Sequence, residues 1–246
     1  MKTKLSPAEL PLIGGLIQAF FPKLCVCCGE VIDEPEYLCD ECFKTIERCN
    51  SEKRCRVCGL EKGNCDCRWH VYYFEGCCAP FWNDGLAKKA MHSYKFSHKE
   101  YYAGFFAEQM ALTVRNTYAG VRFDGVCYVP TTRRKKYKRG FDHCRGLALP
   151  IARIMEIPLL DNMLKCTRNA AAQHSLDFKE RVKNVRDLYV WRRAAADKTL
   201  LLVDDIKTTG ASIDECARQL LFAGAKNVYC VTALITGKND TAKKKG

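Results

Sequence analysis

Leu200-Leu201-Leu202-Val203-Asp204-Asp205-Ile206-Lys207-Thr208-Thr209-Gly210-Ala211-Ser212 is the stretch whose reading decides the fold. The apolar run is a buried strand, and two carboxylates stand at its C-terminal end. A Thr-Thr-Gly turn follows, and a helix begins near Ser212. Backbone N–H groups of such a turn and helix start point at a phosphate. Thr208, Thr209 and Ser212 add hydroxyl donors, while Gly210 supplies the positive φ and close approach that a cradle needs. Asp204 and Asp205 are acceptors and cannot serve the phosphate itself. They suit neighbouring ribose hydroxyls or a bound Mg²⁺. The C-terminal edge of the strand is where open α/β sheets place their ligands.

Around this stretch, strands alternate with helices. Residues 125–130 read as a short buried strand and 145–155 as a helix that contains Pro150. Residues 188–191 and 199–203 are strand-like, 212–223 form an amphipathic helix closed by Gly224, and 227–235 form another buried strand. That alternation predicts a parallel sheet flanked by helices. Upstream, Leu86, Ala90, Met91 and Tyr94 recur at helical spacing with Lys88, Lys89 and Lys95 between them, an ordinary amphipathic pattern.

Cysteine is the unusual count: ten of the 17 fall between Cys25 and Cys67. Cys25-x2-Cys28, Cys39-x2-Cys42, Cys55-x2-Cys58 and Cys65-x-Cys67 form four pairs. A CxxC knuckle aims two thiolates at one point, and two knuckles complete a four-thiolate zinc site. Gly29 and Gly59 follow two of the knuckles, where positive φ is needed. The simplest grouping is Cys25, Cys28, Cys39 and Cys42 for one site and Cys55, Cys58, Cys65 and Cys67 for another, although spacing alone also permits interleaving. One or two structural zinc ions are therefore expected. Cys27 and Cys49 are spares, and the seven scattered downstream cysteines read as small buried hydrophobes. No cleavage site follows the apolar residues 10–21, which are too short to span a bilayer and read as a docking helix capable of peripheral membrane contact. The expected compartment is the cytoplasm, without a transmembrane segment.

The net charge is +12, from 40 Lys+Arg against 28 Asp+Glu. That balance favours anionic partners. The cations concentrate in Arg133, Arg134, Lys135, Lys136, Lys138 and Arg139 around Tyr137. The segment reads as a loop that clamps a diphosphate or tracks a DNA backbone, with Tyr137 available for stacking. Lys165 and Arg168 are candidates for a second cationic contact. His143 and His174 are isolated and read as surface or hydrogen-bonding residues rather than general bases.

The 200–212 stretch resembles the 5-phosphoribosyl-diphosphate (PRPP) motif of type I phosphoribosyltransferases, departing only at Lys207, where an apolar residue is usual. The resemblance narrows to the ComF family. Val129-Pro130 and Arg139-Gly140-Phe141-Asp142-His143 are similar to that family's paired signature, with Thr131-Thr132 and Asp142-His143 as departures. Gln173 to Leu176 and Arg181 to Asn184 match two more of its motifs, and the paired cysteines match its zinc-ribbon segment. The resemblance implies a type I phosphoribosyltransferase-like fold with a zinc-ribbon module at 20–68, a hood or linker at 69–123, the phosphoribosyltransferase-like domain at 124–237 and a basic tail at 238–246. It implies PRPP and Mg²⁺ bound at Asp204, Asp205, Lys207, Thr208, Thr209, Gly210, Ala211 and Ser212, with Asp204 and Asp205 catalytic if turnover occurs. Residues 169–184 would be the lid over that site. The implied role is in DNA uptake and natural transformation, handling single-stranded DNA beside the uptake proteins. The alternative is a phosphoribosyltransferase of nucleotide metabolism with a small-molecule acceptor.

Overall fold

The computed structural model describes residues 22–32, 36–50, 52–65, 67–97, 100–167, 185 and 188–237. Several expectations lie outside these residues: the helix at 10–21, Arg168, the lid at 169–184 with His174, and the basic tail.

The chain forms two compact units that divide between Ile46 and Glu47. The first holds one cysteine knuckle, closed by an antiparallel bridge between Leu24 and Val31, and a six-residue helix α1 (Asp40–Thr45). The second cysteine cluster lies within the larger unit, so the 20–68 segment straddles the division.

The larger unit is built on a five-stranded sheet. Its strands are β1 (Gly76–Cys78), β2 (Phe81–Trp82), β3 (Gly125–Tyr128), β6 (Thr199–Lys207) and β7 (Asn227–Ile235). The order is β1-β7-β6-β3, with β2 also on β7, and every pairing is parallel. This is the parallel, helix-flanked sheet that the sequence predicts. Within residues 69–123, β1 and β2 extend the sheet beyond β7. Such short strands leave no periodic signal to read.

Four consecutive residues of β6, Leu200 to Val203, are fully buried. A strand covered on both faces needs an unbroken apolar run rather than alternation. Leu200 and Leu202 join Val228 and Cys230 in a cluster covered by α6 (Ala211–Phe222), β4 (Leu164–Cys166) and β5 (Tyr189–Trp191). Leu201 and Val203 point the other way, by strand alternation. That layer holds α3 (Glu100–Thr117) and α5 (His143–Met155), which pack on each other and on the sheet. Helix α2 (Gly85–Ser97) packs against α3.

Two readings need correction. Residues 189–191 do not join the parallel sheet. They pair antiparallel with β4 in a separate ribbon. Val190 and Trp191 are exposed, and a strand with such a face cannot sit inside a sheet buried on both sides. The basic segment 133–139 is a helix, α4 (Arg133–Arg139), not a loop. The Thr132 side chain caps its start by accepting from the Lys135 N–H, and Gly140 closes it at φ 76°. Long unbranched Arg and Lys side chains are good helix formers, and the two caps outweigh their mutual repulsion.

Of the scattered cysteines, Cys77, Cys78, Cys127, Cys216 and Cys230 are buried apolar fillers, as expected. Cys144 is buried as well but has a polar partner, described below.

Candidate phosphate-loop site and cysteine clusters

β6 carries Asp204 and Asp205 to the C-terminal edge of the sheet. Thr208 to Gly210 form the turn, and α6 starts at Ala211 with Gly210 as its N-cap residue at φ 83°. The positive φ favours glycine at 210, and a Cβ there would lie 2.9 Å from the end of the Lys207 side chain. Lys207 is not an exposed cation of the loop. It is 1% exposed, folds under the turn, and its Nζ lies 5.7 Å from the centre of the Tyr72 ring.

The two carboxylates are wired differently. Asp205 is ion-paired with Lys95 from α2 and lies 2.8 Å from His143 Nε2. Arg139 Nη1 donates to His143 Nδ1 at 2.8 Å. With that ring nitrogen accepting, Nε2 carries the hydrogen and donates it to Asp205. Burial acts to raise the Asp205 carboxyl, but Lys95 and His143 outweigh it and hold the group well below the usual carboxylate range. Asp204 is bonded to no cation among the described residues. It accepts from the Cys144 thiol at 3.2 Å and from the Asp205 N–H at 2.9 Å. Burial, then the charge of Asp205, pushes its pKa up to about 8. Near neutral pH the pair thus holds one negative charge and one proton. One carboxylate accepts hydrogen bonds while its neighbour both donates and accepts, an arrangement suited to vicinal hydroxyls.

The departures from the family pattern are built into this network. Asp142 accepts from Thr131 Oγ1 at 2.9 Å and from the Arg145 N–H, capping α5. His143 is 6% exposed, hence a hydrogen-bonding residue rather than a surface one. Tyr94 donates to the His143 carbonyl at 2.7 Å. A side chain at Gly146 would put its Cβ 2.3 Å from that tyrosine oxygen. Helix α4 exposes its cations beside this network. Tyr137 is 93% exposed, while Arg139 turns inward to His143.

The eight paired cysteines assemble in the simple grouping. Cys25, Cys28, Cys39 and Cys42 form one cluster, and Cys55, Cys58, Cys65 and Cys67 the other, with all four sulfurs of each set within 4.8 Å of one another. The Cys28–Cys39, Cys55–Cys67 and Cys58–Cys65 sulfurs are each 3.7 Å apart. Tetrahedral zinc with 2.3 Å bonds places sulfurs roughly 3.8 Å apart. Both knuckles have the same backbone, with Gly29 and Gly59 N–H groups returning to the Cys25 and Cys55 carbonyls. Burial acts to raise Cys25, but the N–H groups of Cys28, Cys39 and Cys27 outweigh it and bring the thiol down to about 7. Cys55 behaves likewise, brought to about 7 against burial chiefly by the Cys58 and Val57 N–H groups. Each cluster therefore offers a ready thiolate, and both could hold zinc. Cys27 and Cys49 lie outside the clusters and burial pushes both up to about 12, as spares.

No family model matches the chain. Individual relatives do. Competence protein F of Haemophilus influenzae is 25% identical over 85% of this chain and 95% of that protein. Competence protein ComFC of Streptococcus pneumoniae is 25% identical over 83% and 96%. The chain is thus similar to two competence proteins over most of its length. It is also 28% identical to DNA utilization protein YhgH of Escherichia coli, over 57% of its own length and only 64% of that relative's. Among solved structures, adenine phosphoribosyltransferase from Thermoanaerobacter pseudethanolicus is 14% identical, with a TM-score of 0.34 over 57% of this chain and 83% of that one.

The fold brings Asp204, Asp205 and the Thr208–Ser212 turn to one edge and links Arg139 to them through His143. Sequence reading misses Lys95, His143 and Cys144 as partners of the acidic pair. Lys95 looks like one more lysine on an amphipathic helix. Its position after the buried Tyr94 carries no separate signal.

Proposed function

We propose that this protein binds PRPP with Mg²⁺ at the β6–α6 turn and handles single-stranded DNA in DNA uptake or utilization. The observation that carries the first part is the acidic pair at the end of β6, directly before a glycine-hinged turn and a helix start. The turn's N–H groups and the hydroxyls of Thr208, Thr209 and Ser212 take the 5-phosphate. Asp204 and Asp205 take the ribose hydroxyls. Carboxylate oxygens are also the hard ligands Mg²⁺ prefers, so the pair fits that ion, whereas the adjacent Cys144 thiol does not. When bound, Mg²⁺ neutralises the diphosphate. Arg139, held between His143 and the exposed face of α4, is placed to meet diphosphate charge.

The DNA part is supported by the names of the relatives and by α4, which presents Arg133, Arg134, Lys135, Lys136 and Lys138 around an exposed Tyr137. The eight cysteines hold one or two structural zinc ions. Closed four-thiolate sites leave no open position for chemistry.

Calorimetry with PRPP and Mg²⁺, with and without an oligonucleotide, followed by a pyrophosphate-release assay, tests the reading. Binding without release makes the site a sensor, whereas release that requires an acceptor makes it a transferase. No PRPP binding under any condition overturns the proposal.

A further inference from the structure

Beside the second cysteine cluster lies an open cleft of about 810 Å³. Cys55 and Cys65 form part of its wall. Among its described lining residues are four cations, Arg54, Arg56, Lys62 and Arg68, against one carboxylate, Glu52, together with Trp69. Trp69 is 90% exposed, against 48% for Trp191. Arg54 is fixed differently from the other three. It is 7% exposed, donates to the Gly59 and Ala79 carbonyls, and lies 5.0 Å from the centre of the Trp82 ring. Its Nη2 has no hydrogen-bond partner among the described residues. Arg54 adds a buried positive charge to the lining, and the exposed Arg56, Lys62 and Arg68 complete it.

We propose that this groove is a second contact for single-stranded nucleic acid, with Trp69 stacking on a base and Arg56, Lys62 and Arg68 holding phosphates. The inference rests on the reading that the protein handles single-stranded DNA and names a surface that reading does not include. Three features select this partner. A row of cations with one exposed aromatic is the composition of a single-strand platform, because the backbone supplies charge and every base has a face to stack. A protein partner for an exposed indole would need an apolar surround, whereas the groove that Trp69 lines carries three exposed cations. A duplex hides its base faces within the stack, leaving Trp69 without a partner. The knuckle backbone is pinned by the Cys55 N–H to Leu60 carbonyl bond at 2.8 Å and the Gly59 N–H to Cys55 carbonyl bond at 3.0 Å. A preorganised platform loses little freedom on binding.

The test uses the full chain, as purified, and fluorescein-labelled oligo(dT), with anisotropy followed over a range of NaCl concentrations. Trp69→Ala should weaken binding roughly 5- to 100-fold with the salt slope unchanged. The triple variant R56A/K62A/R68A should lower the slope of log affinity against log salt by about 2, since each phosphate contact on a single strand adds about 0.7. Metal content and melting temperature should match wild type in both variants. Photo-crosslinking with 5-iododeoxyuridine oligonucleotide should label Trp69. If wild type binds and either variant keeps wild-type behaviour, or no crosslink forms at Trp69, the groove is not the contact. If wild type binds no oligonucleotide, the DNA reading fails together with this inference.

Discussion

Lys95 of α2 is ion-paired with Asp205 at the end of β6, and both side chains are largely sequestered, at 14% and 13% exposure. The pair ties α2 to the ligand edge of the sheet. Replacing Lys95 with Met leaves His143 as the remaining side-chain partner of Asp205 among the described residues. The expected cost is about 1–3 kcal/mol in a denaturant melt, the range for leaving a buried group with a missing partner. The Asp205 carboxyl should also titrate at higher pH than in wild type, as read by carboxyl chemical shifts. A melt unchanged from wild type would show that the pair does not hold α2 in place.

The raised pKa of Asp204 gives stability a definite pH dependence. In the unfolded chain an aspartate titrates near 3.9, whereas in the fold Asp204 holds its proton to about 8. Between these values the folded state binds the extra proton, so stability falls as pH rises from about 4 to about 8, with a slope approaching 1.4 kcal/mol per pH unit from this group. Asp205 works in the opposite sense. Its lowered pKa adds stability that is present above about 4 and is lost as pH falls through its folded value. Urea midpoints measured from pH 5 to 8 should therefore decline, and Asp204→Asn should flatten the decline. Equal slopes in the two proteins would contradict this account of the acidic pair.

Zinc content checks the cysteine clusters. The purified protein should carry up to two thiolate-bound zinc ions, and Cys25→Ser and Cys55→Ser should each reduce the content by one. Metal-binding energy here is folding energy. Chelation should unfold the 22–46 knuckle and, because the second cluster belongs to the larger unit, lower the melting temperature of that unit as well. Elemental analysis without zinc, or mass spectrometry showing disulfides, would overturn both the metal and the compartment readings.

Helix α4 should contribute to DNA binding chiefly through charge. Replacing Arg133, Arg134, Lys135 and Lys136 with Ala should flatten the salt slope by up to about 3 if all four touch phosphates. Tyr137→Ala should cost roughly 1–3 kcal/mol if the ring stacks on a base, with the slope unchanged. A wild-type slope in the fourfold variant would assign α4 to the diphosphate instead.

Much of this molecule is legible in its amino-acid sequence. The 200–212 stretch announces its strand, turn and helix because a doubly covered strand must be continuously apolar and a phosphate turn must contain glycine. The cysteine grouping is legible because a CxxC knuckle leaves its two sulfurs one direction to face. The features that escape sequence reading share a cause: they depend on tertiary contact. β1 and β2 are too short to show a period and are strands only because β7 pairs with them. The 133–139 segment looks like a repelling loop, although Thr132 and Gly140, its two caps, stand in plain view. Lys95 and Cys144 acquire their partners only when α2 and α5 are brought to the end of β6.

The central claim is that Asp204, Asp205 and the 208–212 turn bind PRPP. Calorimetric titration of PRPP with Mg²⁺ into wild type and into the D204A/D205A double variant tests it most directly, with circular dichroism to verify that both are folded. The account predicts saturable binding by the wild type and none by the folded double variant. Equal PRPP affinity in the two proteins would contradict it.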